Sequence, residues 1–157
     1  MPQIESRISI NAPFEKVWQL AQDVENLPQI LPDLDNVLVH QREERANGEL
    51  FTLTEWHGRI KQFNRKVVWT EEDVWNSESG TSAQSGTCTF QQTKGDFDAY
   101  SGVWTFSKNG DATDLHLSVN YEFNIPLVGA LMQKVVQKLM QDNSDGMLKA
   151  LKEAAEK

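Results

Sequence analysis

Residues 127–157 read LVGALMQKVVQKLMQDNSDGMLKALKEAAEK, and the spacing of their apolar side chains decides the fold. Val128, Leu131, Met132, Val135, Val136, Leu139 and Met140 recur at steps of three and four, and the series resumes at Met147, Leu148 and Leu151. That repeat lays one wide apolar stripe along one face of an α-helix. Pro126 stands just ahead of it, where a helix start tolerates proline. Such a helix is roughly 45 Å long at about 1.5 Å per residue, so its stripe needs a broad cover. Asp142-Asn143-Ser144-Asp145-Gly146 interrupts the stripe. The interruption argues against a coiled-coil seam and marks either a kink or a more exposed turn.

The chain upstream supplies the cover. Leu115, Leu117, Val119, Tyr121 and Phe123 alternate with His116, Ser118, Asn120 and Glu122, a period of two that belongs to a half-buried strand. Tyr100, Gly102, Trp104 and Phe106 define another inward face, bounded by turns at Lys94-Gly95-Asp96 and Asn109-Gly110-Asp111. Residues 87–93 alternate Cys88 and Phe90 against threonines, whereas Ser77 to Gly86 reads as a loop or a weak strand edge. Ile60 to Trp75 is a long strand with Phe63, Val67, Trp69 and Trp75 on one side. A strand from Asn36 reaches the Asn47-Gly48 hairpin signal and returns over Glu49 to His57, with Gly58 a bulge or break. At the start, Ile4, Ser6, Ile8 and Ile10 share a strand face. A short helix follows over Pro13–Asp23, with Asn11 as its cap and Phe14, Val17, Trp18 and Ala21 at helical spacing. A second short helix spans Asp23–Leu31, with Pro28 in its first turn. The fold class is therefore α+β: a curved antiparallel sheet of about seven strands around a long C-terminal helix, with two short helices after strand 1.

A length of 157 residues suffices for one domain with a real core and is short for two, so residues 1–157 are expected to form a single domain. The net charge of −8 disfavours nucleic acid and anionic membrane surfaces as partners. The only basic clustering is mild, around Lys61, Arg65 and Lys66, and reads as solvated strand positions. The lone Cys88 precludes an internal disulfide. No secretion signal opens the sequence and no apolar run reaches the roughly 20 residues needed to span a bilayer, so a cytoplasmic protein without integral membrane association is expected.

The segment Ile8-Ser9-Ile10-Asn11-Ala12-Pro13-Phe14-Glu15-Lys16-Val17-Trp18 resembles the opening of the START-like, helix-grip superfamily (SRPBCC). Asp23-Val24-Glu25-Asn26-Leu27-Pro28 resembles that superfamily's proline-rich second helix. Gly95-Asp96-Phe97-Asp98-Ala99-Tyr100, with Trp104-Thr105-Phe106, is similar to the mid-chain strand of the polyketide cyclase and coenzyme Q-binding branch. Met147-Leu148-Lys149-Ala150-Leu151-Lys152 resembles its closing helix. The resemblance covers nearly the whole chain and implies a seven-stranded sheet gripping the long helix, with a hydrophobic cavity between them. Members of the branch bind quinones or lipids, cyclise polyketide chains, or act as transport or interaction modules.

Given such a cavity, Leu31, Trp56, Val67, Trp69, Phe90 and Trp104 are expected to contact a ligand. Leu117 and Tyr121 on the last strand, and Leu131, Met132, Val135 and Met140 on the long helix, complete the expected set. In the aromatase/cyclases an inward tryptophan on the third strand is followed, at the same parity, by polar residues ending in an arginine. Here Trp56 is followed at that parity by Gly58 and Ile60. Arg59 is out of phase unless Gly58 forms a bulge, and the polar position of the last strand falls on an apolar residue near Val119.

The candidate catalytic residues are His57, Arg59 and Glu71. Glu55, His57 and Arg59 share a parity and form either an acid–base set in a pocket or the polar outer face of a strand. Glu71 and Asp73 share the parity of Trp69 and Trp75, and would act as acids if buried together. The commoner arrangement for such a pair is a strand end frayed into solvent. His40, His57 and His116 lack metal-ligand spacing, so no metal is expected, and no cofactor motif is present. The function expected is binding or transport of a hydrophobic small molecule (a lipid, quinone or polyketide-like aromatic). A polyketide aromatase/cyclase-like enzyme is the alternative, and a protein-interaction module ranks last.

Overall fold

The computed structural model describes residues 3–60, 64–79, 84–123 and 130–157. Strand β1 (Gln3–Ile10) leads into helix α1 (Phe14–Gln22) and a 3₁₀ turn at Val24–Gln29. Strands β2 (Leu34–Glu44), β3 (Leu50–Ile60), β4 (Arg65–Ser79), β5 (Gln84–Gly95), β6 (Ala99–Asn109) and β7 (Ala112–Glu122) follow, and helix α2 (Ala130–Ala155) closes the chain. One antiparallel sheet has the order β1-β7-β6-β5-β4-β3-β2. Strands β2 to β7 are thus a meander, and β1 returns beside β7. The α+β architecture of a seven-stranded sheet and a long helix is the one read from sequence. Leu127, Val128 and Phe63, assigned above to the helix and to a strand face, lie outside the described residues.

Several local expectations are corrected. Strand β3 passes straight through Gly58: its register with β4 is unbroken from Leu50↔Trp75 to Ile60↔Arg65. The irregularities fall on β2 instead, between Leu34 and Asn36 and between Val39 and Gln41. Of the two readings of the serine-rich stretch, loop or weak strand, the described residues take the strand: Ser77↔Gly86, Glu78↔Ser85 and Ser79↔Gln84 pair between β4 and β5. Pairing with a neighbour outweighs the weak strand preference of glycine and serine there. Pro13, not Asn11, occupies the cap position of α1, its carbonyl accepting from the Lys16 and Val17 amides. Pro28 sits inside a 3₁₀ turn instead of opening an α-helix. Of the two readings of Asp142–Gly146, the kink is absent, since α2 runs unbroken, and the exposed turn beside the cavity is the one seen: Asp142, Asp145 and Gly146 are exposed.

Helix α2 is fastened along edge strand β1. Gln141 Nε2 donates to the Glu5 carbonyl (3.0 Å) and to Ser6 Oγ (3.1 Å). Ser6 Oγ in turn donates to Asp145 Oδ1 at 2.6 Å. Nearer its end, Lys152 Nζ reaches the Ser9 carbonyl at 2.9 Å, and Glu156 accepts the Asn11 amide at 2.9 Å. These bonds bring the helix to the β1 edge, while Val136, Leu139, Leu148 and Leu151 are buried in the core.

At one end of the sheet the core is closed. Trp18 of α1 stacks on Phe14 (5.6 Å) and meets Trp75 (5.5 Å) and Phe106 (5.0 Å) edge-on. Gly86 leaves the recess for its ring: a β-carbon there would lie 2.5 Å from Trp18 Cζ3.

Candidate functional site

The alternation of β3 and β4 turns Thr52, Thr54 and Trp56 to the same face as Trp69, Glu71 and Asp73. Their cross-strand partners are Thr52↔Asp73, Thr54↔Glu71 and Trp56↔Trp69. A cavity of about 180 Å³ lies over Trp56, Trp69 and Glu71, between the sheet and the middle of α2. That is the scale of an engineered apolar cavity of ~150 Å³ that admits benzene. Its aromatic walls are Trp56, Trp69, Phe90, Phe97, Tyr100 and Trp104, joined by Leu31, Val67 and, from α2, Met140 and Met147. Trp56 and Trp69 stack at 6.0 Å with planes 6° apart, and Tyr100 stacks on Phe97 at 4.5 Å. Gly102 makes room for the Phe90 ring, since a β-carbon there would lie 2.6 Å from Phe90 Cζ.

The floor is polar. Glu71 and Asp73 are 5% and 4% exposed, so the expectation of a solvent-frayed strand end is corrected. Burial pushes both carboxyls up, and the neighbouring Asp73 charge raises Glu71 further. Glu71 is hydrogen-bonded to Asp73, an arrangement in which it keeps the proton. Asp73 Oδ2 accepts from Thr54 Oγ1 (2.6 Å) and Thr52 Oγ1 (3.1 Å). Both cavity indoles point into this network: Trp69 Nε1 donates to Glu71 Oε1 at 2.7 Å, and Trp56 Nε1 to Thr54 Oγ1 at 2.8 Å. Each of these buried donors has an acceptor, which is how a polar cluster survives in a dry interior. The same burial and the same carboxyls push the Tyr100 hydroxyl and the Cys88 thiol up.

The other candidates are placed as follows. Leu31, Trp56, Val67, Trp69, Phe90, Trp104 and Met140 lie on the cavity wall. Leu117 and Tyr121 do not; both are 2% exposed and buried in the core of β7. Met132 is half-buried away from the wall, and Val135 is 39% exposed. The stripe of α2 is wider than the cavity, so periodicity alone does not say which of its residues face the void. The Leu131 side chain lies outside what is described. His57 is on the outer face, where Glu55 accepts from His57 Nε2 (2.5 Å) and His40 Nε2 (2.9 Å), and these bonds lower the Glu55 carboxyl. Arg59 reaches only the cavity rim, 3.2 Å from Asp35. With no bulge at Gly58, it is not the inward arginine of the aromatase/cyclase pattern, and Val119 is a buried apolar residue. Sequence reading missed Phe97, Tyr100 and the Thr52–Thr54 partners of Asp73. Threonines alternating with Trp56 on β3 were the available signal. Among the described residues no group of histidine, cysteine and acidic side chains is arranged to hold a metal, and no helix is long and apolar enough to cross a membrane.

A family model described as polyketide cyclase/dehydrase and lipid transport matches residues 10–148. The chain belongs to this family. A crystal structure of a Thermus thermophilus protein is 35% identical to it, covering 97% of this chain and 95% of that one at a TM-score of 0.82. A START superfamily protein from Mycobacterium smegmatis is 17% identical, covering 98% and 97% at a TM-score of 0.74. The Zhui aromatase/cyclase from Streptomyces sp. R1128 is also 17% identical, covering 99% and 93% at 0.77. The last two likenesses establish the helix-grip fold that the polyketide cyclase family shares with the START superfamily. No curated protein matches the sequence.

Proposed function

We propose that this member of the polyketide cyclase and lipid transport family binds and carries a hydrophobic, ring-bearing small molecule in the cavity between the sheet and α2. The observation that carries the reading is the Trp56–Trp69 stack. Both indoles direct their N–H groups into the protein's own network, so what remains for a ligand is aromatic face. Apolar walls with a few placed polar groups are the usual make-up of small-molecule sites. Native mass spectrometry of the purified protein before and after organic extraction tests this. A bound apolar compound, or uptake of an apolar fluorescent dye quenching the tryptophans, is the expected result. A protein that is empty and takes up no dye defeats the reading.

A second reading, an aromatase/cyclase-like catalyst, draws on one observation: Glu71 lines the cavity as a buried acid. A protonated carboxyl can deliver a proton to a bound carbonyl. This reading has Glu71 but neither an inward Arg59 nor an inward His57. Turnover of a poly-β-ketone thioester that disappears in Glu71→Gln would favour it over the carrier.

A further inference from the structure

The charged groups at the cavity rim are paired off, and the acidic pair at its floor is not. At its floor the donors are committed inward: Trp69 Nε1 to Glu71, Trp56 Nε1 to Thr54, and the Thr52 and Thr54 hydroxyls to Asp73. The Glu71 carboxyl, 5% exposed, is the polar group of that floor on the cavity wall. At the rim the lining includes Asp142, whose carboxylate is paired with Lys138 Nζ at 3.0 Å. Arg59, the one cationic side chain among the described lining residues, already faces Asp35 at 3.2 Å. Between floor and rim stand the faces of Trp56, Trp69, Tyr100 and Trp104. Aromatic faces carry negative potential and attract cations, most strongly where water is excluded. A carboxylate ligand would meet the charge of the buried Glu71–Asp73 pair at the floor, and would find no uncommitted cation among the described lining residues, since the rim charges of Arg59 and Asp142 are each paired already.

We infer that the cavity is built for an organic cation: an apolar, ring-bearing molecule with a protonated amine, its ring against the Trp56–Trp69 stack and its nitrogen at Glu71. The inference rests on the carrier reading and names the chemical class of its ligand.

It has a consequence that simple apolar binding lacks. Glu71 and Asp73 share one proton because two adjacent buried charges are unfavourable. An ammonium beside them compensates the second charge, so binding expels that proton to solvent. The other titratable groups that feel the pair are Cys88 on β5 and Tyr100 on β6; Asp33, Arg59 and Asp142, the last bound to Lys138, line the cavity. Cys88 and Tyr100 are both held protonated in the neutral range by burial. The released proton therefore comes from the carboxyl pair.

The test uses three probes on the full chain: a naphthalene ring bearing an aminomethyl, a hydroxymethyl or a carboxylate group. Titration calorimetry at neutral pH in buffers of different ionisation enthalpy reads affinity and proton release together. The amine is expected to bind about tenfold or more tighter than the alcohol, with the carboxylate weakest, and only the amine's heat should change with buffer. Glu71→Gln should abolish the amine's advantage over the alcohol and the buffer dependence. If the variant does not fold, the buffer dependence of the unaltered protein still decides. Equal affinity for alcohol and amine, or tighter binding of the carboxylate, overturns the cation inference and leaves the carrier reading standing. Failure of all three probes to bind overturns both.

Discussion

Trp69 and Trp75 stand on one strand, β4, and point to one face, yet their surroundings differ. Trp75 is 6% exposed, locked edge-on against Trp18 of α1 and bordered by Phe106. Trp69 is half-buried, stacked on Trp56 and open to a cavity. What differs is the element above each. Helix α1 drops Trp18 into the recess left by Gly86, whereas the stretch of α2 over Trp69 carries Asp142, Asn143, Ser144 and Gly146. A full apolar stripe there would fill the space. The same strand alternation thus yields a sealed core at one end and a binding chamber at the other.

The sharpest way to break this comparison is to truncate a tryptophan at each end. Trp18→Ala removes the ring that Phe14, Trp75 and Phe106 surround, and should cost about 3–5 kcal/mol in a urea unfolding titration. Trp56→Ala removes a ring with one face on the cavity, and should cost about 1–2 kcal/mol, because part of that surface is already solvated. Apolar-dye uptake should respond in the opposite order, falling about tenfold or more in Trp56→Ala and little in folded Trp18→Ala. Equal stability losses would mean that the Trp56 end is packed as tightly as the Trp18 end.

Two glycines sharpen the same contrast more gently. In Gly86→Ala the new methyl lies 2.5 Å from Trp18 Cζ3, so ring or strand must shift, at about 1–3 kcal/mol. In Gly58→Ala it lies 3.5 Å from Trp69 Cζ3, an ordinary contact. Stability there should change by no more than about 0.5 kcal/mol, while dye affinity drops as the cavity narrows. A destabilised Gly58→Ala would show that the cavity end has no slack.

The contrast was partly legible in the sequence. Period-two runs such as Leu115 to Phe123 and the three–four spacing after Leu127 carry the topology, because an inward face must be apolar wherever it is dry. The same logic placed Trp56, Trp69, Phe90 and Trp104 on the inner face and could not say which of them border a void. Leu117 and Tyr121 share the alternation of true wall residues and are plain core; parity reports a face, and a void is a property of what lies opposite. Glu71 and Asp73 were misjudged for a related reason. Carboxylates are rarely buried, and their burial here depends on Thr52 and Thr54, which reach them only through the β3–β4 register.

That buried pair gives the chamber a pH signature which the sealed end lacks. A carboxyl raised in the folded state lends stability that is fully present below its unfolded pKa, about 4, and is lost as pH rises through its folded value. Both Glu71 and Asp73 are shifted upward, so stability against denaturant should fall as pH rises from about 4, until Glu71 has lost its proton. Glu71→Gln should flatten the profile at its alkaline side. A wild-type profile that rises over this span would mean that the carboxyls are solvated.

The smallest effect tests the comparison at its boundary, where inside and outside are one residue apart. His57 follows Trp56 on β3 and points to the outer face, sharing the Glu55 carboxylate with His40. In His57→Ala, Glu55 keeps His40 as a partner, and exposed pairs of this kind contribute little. Unfolding midpoint and dye affinity should both stay within error of the unaltered protein. The result matters because a one-residue slip of β3 would exchange the two faces wholesale, bringing His57 and Arg59 inside and expelling Trp56. Loss of dye binding in His57→Ala, with Trp56→Ala silent, would establish that slipped register and revive the acid–base set of the cyclase reading. The opposite pattern holds β3 in the register whose indoles and threonines meet Glu71 and Asp73.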